Sequence, residues 1–145
     1  MDGEIVAIWI KRAHRSPLDG VKEAELVEGG GIVGNADQGG WRQITIIEEG
    51  AWKDAERELG AEVDPSGRRA NVMVRGIDLK NTRGKKLRLG DCVVNIRGQN
   101  PPCTLMNEAH QGLQKALEPQ WRAGIFGDIV QGGTIRVGDP VSFEL

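Results

Sequence analysis

The chain of 145 residues carries a formal net charge of −2, and its length suits a single domain that spans residues 1–145. The near-neutral charge argues against a protein that binds nucleic acid or an anionic membrane surface. The sequence has only two cysteines, no apolar run of about 18 residues that could cross a bilayer and no apolar signal-peptide core. It therefore predicts a cytoplasmic protein.

The first half of the chain is predicted to alternate short strands with turns and one helix. Apolar and β-branched runs predict strands over residues 4–11, 21–27, 42–48 and 68–74. The glycine-rich stretch over residues 29–40 predicts a loop. A helix is predicted over residues 50–59, where apolar residues recur on one face and Gly60 provides a C-terminal stop.

The second half is predicted to contain a hairpin over residues 86–98, a helix over residues 104–117 and further strand over residues 125–145. In the helix, apolar side chains recur at four-residue steps, and Thr104 is expected to cap the N-terminus. Many short strands with two helices are typical of a mainly β protein. The sequence therefore predicts a small, mostly antiparallel β-barrel.

Cys103 is the residue that most strongly indicates chemistry. It follows Pro101 and Pro102, which fix the backbone before it and present the thiol from a stiffened turn. Cys92 instead precedes two valines in a strand-like run, where a cysteine packs as a small hydrophobe. We therefore interpret Cys103 as a working thiolate in an accessible pocket and Cys92 as a buried structural residue.

Two other patterns give weaker evidence for a functional site. Residues 29–34 match the G-x-G-x-x-G pattern, but a turn sequence follows instead of the helix that a dinucleotide site needs, so they indicate a flexible loop over a site or a plain connector. His110 lies seven residues beyond Cys103, about 10 Å along a helix, which is too far for a Cys–His pair.

Several arginines lie at the edges of predicted strands. Arginine binds phosphate and carboxylate groups with two parallel hydrogen bonds, so a cluster of arginines could form a local anion pocket. The alternative is ordinary ion pairing with surface carboxylates. The residues concerned are Arg42, Arg68, Arg69 and Arg122.

Six short motifs follow one another along the chain, and as an ordered set they are specific. They are Gly31-Ile32-Val33-Gly34-Asn35, Arg42-Gln43-Ile44-Thr45, Arg69-Ala70-Asn71-Val72, the Leu-x-Leu-Gly-Asp turn Leu87 to Asp91, Pro102-Cys103, and Gly132 to Asp139. In this order they resemble the MOSC domain, named for the C-terminal domain of molybdenum-cofactor sulfurases. The resemblance extends over nearly the whole chain.

The resemblance implies a β-barrel and an association with the molybdenum cofactor, a pterin-bound molybdenum, or with sulfur handling. It makes Cys103 the protein ligand of the metal, and Arg69 and Asn71 part of the segment that holds the pterin and its phosphate. Arg42 is a looser candidate for the same site. The chain departs from the pattern at residues 35–37, where many members of the family have a histidine.

Three functions are compatible with this reading. In the first, the protein binds the molybdenum cofactor as a carrier or as a small reductase of N-hydroxylated compounds. In the second, Cys103 accepts persulfide sulfur from a pyridoxal-phosphate-dependent desulfurase. In the third, the barrel binds a partner without catalysis, and the thiol takes no part.

The resemblance also implies partners. Larger relatives carry an additional N-terminal β-barrel domain, so we expect a second copy of the chain in a homodimer, a cysteine desulfurase or a cofactor biosynthesis protein to complete the wall of the site.

Overall fold

Eleven strands and three α-helices make up residues 3–144, the part of the chain that the computed structural model describes. The strands are β1 (Gly3–Ile10), β2 (Asp19–Val21), β3 (Glu23–Val27), β4 (Gly31–Ile32), β5 (Ile44–Glu48), β6 (Val72–Arg75), β7 (Lys86–Leu89), β8 (Cys92–Gln99), β9 (Ile125–Gln131), β10 (Gly133–Arg136) and β11 (Pro140–Phe143). The α-helices are α1 (Glu49–Leu59), α2 (Met106–Ala109) and α3 (Leu113–Leu117), and two 3₁₀ helices span Pro65–Arg68 and Pro119–Trp121.

Seven strands close into a barrel in the order β11-β7-β8-β9-β5-β6-β1, and the β1–β11 pair completes the ring. Each neighbouring pair is antiparallel except β5 and β6, which run parallel with Ile46 opposite Val72. β2 pairs with β1 beside the barrel, and β10, β3 and β4 form a separate small sheet. The predicted fold class, a small and mostly antiparallel β-barrel, is confirmed.

The apolar residues form two cores. Alternate residues of the strands, such as Ile44 and Ile46 of β5, fill the barrel, because successive side chains of a strand point to opposite faces. A second core lies between the outside of the barrel and the helices, where Ile47 and Met73 meet Trp52 of α1 and Leu113 of α3. Among residues 3–144, no helix is long and apolar enough to cross a membrane.

Helix α1 agrees with its prediction to within one residue. It begins at Glu49 because the Glu48 carboxylate accepts hydrogen bonds from the backbone N–H groups of Gly50 and Ala51. It ends where Gly60 adopts a left-handed φ of 72° and donates its N–H to the last turn. The predicted strands over 4–11 and 42–48 and the hairpin over 86–98 are also present.

The predicted single helix over residues 104–117 is wrong. The chain forms α2 and α3 instead, and Gly112 separates them with a φ of 89° that an α-helix cannot contain. Thr104 does not cap either helix; Leu105 precedes α2 without a side-chain hydrogen bond. The apolar spacing persists across the break because Met106 and Leu113 pack into the same second core.

The predicted strand over residues 68–74 is also wrong in its first half. Asp64 accepts a hydrogen bond from the Ser66 N–H, which lowers the pKa of Asp64 and caps the 3₁₀ helix Pro65–Arg68. Arg69 then has a left-handed φ of 64°, and β6 begins only at Val72.

Three further ranges need smaller corrections. The expected strand over 21–27 belongs to β2 and β3, which are divided at Lys22, and the loop over 29–40 contains the two-residue strand β4. The expected strand over 125–145 consists of β9, β10 and β11, and its last residue, Leu145, lies outside the described residues.

Candidate functional site

A pocket of about 170 Å³ opens on the outside of the barrel, beside helix α2. Thr45 of β5 forms part of its floor and lies between two residues that fill the barrel, so its side chain points outward. The end of β1, the loops before β5 and β6, and the turn after β8 supply the walls. The pocket brings together all four residues selected from the sequence: Cys103, Arg69, Asn71 and Arg42.

Cys103 lies in the turn between β8 and α2. Its side chain is exposed, and its carbonyl accepts a hydrogen bond from the Met106 N–H, which starts the helix. Cys92 is fully buried in β8, where burial and nearby carboxylates raise the pKa of its thiol to about 11. The flanking residues thus predicted the contrast between the two thiols correctly. His110 lies past the end of α2 and does not line the pocket.

The sequence named Arg68 only as one of four arginines that could form an anion pocket, and the structure places it in the wall of the Cys103 pocket. It is only 5% exposed. Its Nε donates to the Ala123 carbonyl at 2.7 Å, and its Nη2 donates to the Asn100 carbonyl at 2.8 Å. Arg68 therefore ties the 3₁₀ helix to the residue that begins the Pro-Pro-Cys turn, and it fixes the wall behind Cys103.

The buried positive charge of Arg68 interacts electrostatically with Cys103. Burial lowers the pKa of the Arg68 guanidinium to about 10; attraction to a Cys103 thiolate opposes this change, and repulsion from Arg42 adds to it. Arg68 remains protonated near neutral pH and places a positive charge behind the sulfur. The neighbouring guanidinium of Arg42 lies 4.9 Å from the centre of the Phe126 ring.

The pocket has a surplus of positive charge. Within residues 3–144, none of the guanidinium groups of Arg42, Arg68 and Arg69 forms an ion pair with a carboxylate. The one carboxylate that lines the pocket, Asp37, is paired with Lys11 at 2.7 Å. These three arginines therefore match the anion-pocket hypothesis. Arg122, in contrast, lies outside the pocket, where it pairs with Glu58 at 3.1 Å and donates to the Ala116 carbonyl at 3.0 Å.

Asn71 is held by hydrogen bonds within the protein. Its Oδ1 accepts from the N–H and the hydroxyl of Thr45, and its Nδ2 donates to the Trp9 carbonyl and to Asn35 Oδ1. Asn35 Oδ1 also accepts from the Lys11 N–H. Asn71 thus joins β1, β5 and the glycine-rich loop, and Asn35 completes this link in the segment where many members of the family have a histidine.

Two buried polar atoms beside the thiol have no hydrogen-bond partner among the described residues: Nη2 of Arg69 and Oδ1 of Asn100. An unpaired buried polar atom costs about 1–3 kcal/mol, so a ligand that paired with both would be favoured. Residues 3–144 contain no group of three or more His, Cys, Asp or Glu side chains that could hold a metal ion. A metal at Cys103 would therefore bring most of its ligands with it.

The family model for the MOSC domain matches residues 33–142, which include every pocket residue except Lys11. The chain belongs to the MOSC domain family. The resemblance of its motifs is thereby confirmed.

Solved structures agree with this membership at the level of the fold. YuaD from Bacillus subtilis is 19% identical with a TM-score of 0.84, and the match covers 99% of this chain and 96% of YuaD. YiiM from Geobacillus stearothermophilus is 16% identical with a TM-score of 0.77, over 99% of this chain and 75% of YiiM. YiiM from Escherichia coli is 16% identical with a TM-score of 0.74, and the match covers 100% of this chain and 70% of that YiiM. The curated proteins include no match to this chain.

Proposed function

We propose that the protein binds a molybdenum cofactor, with Cys103 as the protein ligand of the metal, and acts as a carrier or as a component of a small reductase. One observation carries this proposal. An exposed thiol shares its pocket with three guanidinium groups, those of Arg42, Arg68 and Arg69, which have no carboxylate partner within residues 3–144. Such a pocket is suited to a ligand that combines a soft metal with an anionic group.

The donor set fits the cofactor. A thiolate is a ligand that soft metals prefer, and Cys103 supplies one at the mouth of the pocket. Arg69 and Arg42 would bind the phosphate, and Asn100 Oδ1 would accept a hydrogen bond from a pterin N–H. When bound, the cofactor supplies a redox-active metal. Arg68 and Asn71 would hold the walls, since the protein already uses their hydrogen bonds.

The size of the pocket supports a partner. A volume of about 170 Å³ lies below the range of roughly 300–1,000 Å³ that is typical of small-molecule sites. Part of the cofactor would therefore extend beyond this chain. A second copy of the chain, or a protein that makes or receives the cofactor, would cover the remainder.

Metal and pterin analysis tests the proposal. The wild type and Cys103→Ser are purified from a host that makes the cofactor, and molybdenum and pterin are measured per chain. We expect both to accompany the wild type and to be lost from Cys103→Ser. Arg57→Ala is the control, because Arg57 is exposed and paired with Asp54 outside the pocket. A Cys103→Ser protein that keeps its molybdenum would contradict the assignment.

The exposure of Cys103 also favours a second candidate function, that of a sulfur carrier. In this reaction the Cys103 thiolate attacks the outer sulfur of a desulfurase persulfide; a new S–S bond forms on Cys103, and the desulfurase cysteine leaves as a thiolate. The test supplies ³⁵S-cysteine and a pyridoxal-phosphate-dependent desulfurase. Label on Cys103 supports this function. Label that is equal on the wild type and on Cys103→Ser rules it out.

A further inference from the structure

A second cavity, of about 220 Å³, adjoins the Cys103 pocket. The two share Arg69 and Leu105, so the Arg69 side chain forms a wall between them. We call the second one the Arg69 cavity. It lies between the 3₁₀ helix Pro65–Arg68 and helix α2, and the MOSC motifs account for only one of its residues, Arg69.

Small residues let the 3₁₀ helix and α2 pack closely at the base of this cavity. Gly67 packs so closely on α2 that a Cβ atom built on it would lie 2.7 Å from the Cβ of Ala109. Arg69 follows with its left-handed φ of 64° and donates its N–H to the Ser66 carbonyl at 2.9 Å. The 3₁₀ helix and α2 are therefore held together at the base of the cavity, and the Arg69 side chain closes one side.

One wall of the cavity contains a hydrogen-bond donor that pairs with none of the described residues. Nη2 of Arg69 is buried and has no partner among the described residues. Ser66 lines the same cavity, and Leu105 and Ala109 supply apolar surface. A small oxyanion could accept from Arg69, while the rest of the molecule to which it belongs contacted the apolar wall.

The mouth of the cavity carries an ion pair that a ligand can replace. Arg15 lies 3.5 Å from Glu108, and the two side chains are 74% and 67% exposed. Exposed pairs of this kind contribute little to stability, so Arg15 is free to turn to an incoming anion. With Arg15, Arg69 and Glu108 counted together, the cavity has a net charge of +1.

We propose that the Arg69 cavity is a second binding site, which takes the oxyanion of a small co-substrate, a carboxylate or a phosphate, beside the Cys103 thiol. Arg69 and Arg15 bind the oxyanion, and Glu108 limits its affinity. The co-substrate enters from the side of α2, separately from the ligand of the Cys103 pocket. Arg69 lines both sites, so this inference rests on the proposed function in one respect: its several N–H donors would bind the cofactor phosphate on one side and the co-substrate oxyanion on the other.

Titration of the metal-free protein with inorganic phosphate and with acetate, followed by calorimetry, tests the proposal. We expect saturable binding of at least one of them. Glu108→Gln removes the competing carboxylate and should tighten binding by roughly three- to tenfold, and Arg15→Ala should weaken it by a similar factor. Both residues are exposed, so neither change threatens the fold. Glu58→Gln, on a carboxylate that pairs with Arg122 and lines neither cavity, is the matched control and should change nothing.

The comparison of the two anions identifies the source of the oxyanion. Tighter binding of phosphate supports a phosphorylated co-substrate, and tighter binding of acetate supports a carboxylic acid. Absence of saturable binding, or equal effects of Glu108→Gln and Glu58→Gln, would overturn the proposal. Binding that disappears once the protein carries molybdenum would also overturn it, since the cavity would then belong to the cofactor. The main titration needs no molybdenum, so its outcome is independent of the test of Cys103.

Discussion

The two cysteines allow one substitution to be compared in two environments. Cys103 is exposed in a turn, whereas Cys92 is fully buried in β8, among the apolar side chains that fill the barrel. Serine differs from cysteine by one atom in each case. The comparison therefore separates a thiol that is needed for chemistry from one that is needed for packing.

The expected effects on stability differ clearly. Cys103→Ser changes an exposed side chain, and its effect on the free energy of unfolding should stay within about 0.5 kcal/mol. Cys92→Ser introduces a hydroxyl into an apolar core, at a cost of about 1–3 kcal/mol. For a chain of this size, each kcal/mol lowers Tm by about 2–4 °C. Cys92→Ser should therefore melt roughly 2–12 °C below the wild type. Cys103→Ser should melt at the same temperature as the wild type.

Thermal unfolding of the three proteins measures this difference. The proteins should come from a host that makes no molybdenum cofactor, because a ligand bound only to the wild type would raise its Tm and imitate a packing effect. If Cys103→Ser melts several degrees below the wild type while Cys92→Ser does not, the reasoning fails. Cys103 would then be structural, and the partner-binding barrel would become the better hypothesis.

Four other predictions follow from the same contacts. At pH 8, iodoacetamide should label Cys103 and spare Cys92, because the raised pKa of about 11 keeps Cys92 protonated; preferential labelling of Cys92 would contradict this. Arg69→Ala should weaken cofactor binding by roughly ten- to a hundredfold, as expected for one charge-assisted hydrogen bond of about 1.5–3 kcal/mol, and unchanged retention would exclude Arg69 from the cofactor site. Asn71→Leu should destabilise the ligand-free protein by about 2–5 kcal/mol in urea unfolding, since it removes buried hydrogen bonds between three segments; an unchanged midpoint would make Asn71 a ligand contact only. Gly124→Ala should abolish stable folding as judged by circular dichroism, because φ is 93° and a Cβ would meet the Ile46 carbonyl; a native spectrum would refute the reading.

Local patterns predicted most of the barrel. The strands β1 and β5 and the β7–β8 hairpin have apolar residues that repeat as strands require, and their observed bounds lie within two residues of the expected ones. The same reasoning failed at the break between α2 and α3. Apolar residues there keep a helical spacing, but Gly112 adopts a left-handed conformation that spacing alone does not reveal.

The site could be predicted only in part. Arg68 and Arg69 are adjacent and identical, and nothing in their neighbours says which one is buried. The backbone decides, because Arg68 ends a 3₁₀ helix and points into the protein, whereas Arg69 takes the left-handed conformation after it. Both arginines line the pocket of Cys103, more than thirty residues away in sequence, because of the strand order of the barrel, which no local pattern contains.

The polar residues around Cys103 divide into two groups, and this division bears on function. Arg68 and Asn71 make hydrogen bonds to backbone or side chains of other segments, so they stabilise the walls without any ligand. Arg69 and Asn100 each keep a buried atom without a partner among the described residues, which lowers the stability of the ligand-free fold. A donor and an acceptor left unpaired beside an exposed thiol are groups with which a ligand of the pocket can form hydrogen bonds after a small movement of the side chains. A protein partner would have to supply a matching acceptor and donor at these two atoms, whereas a phosphate and a pterin together carry both; we therefore propose a small-molecule site rather than a partner-binding surface.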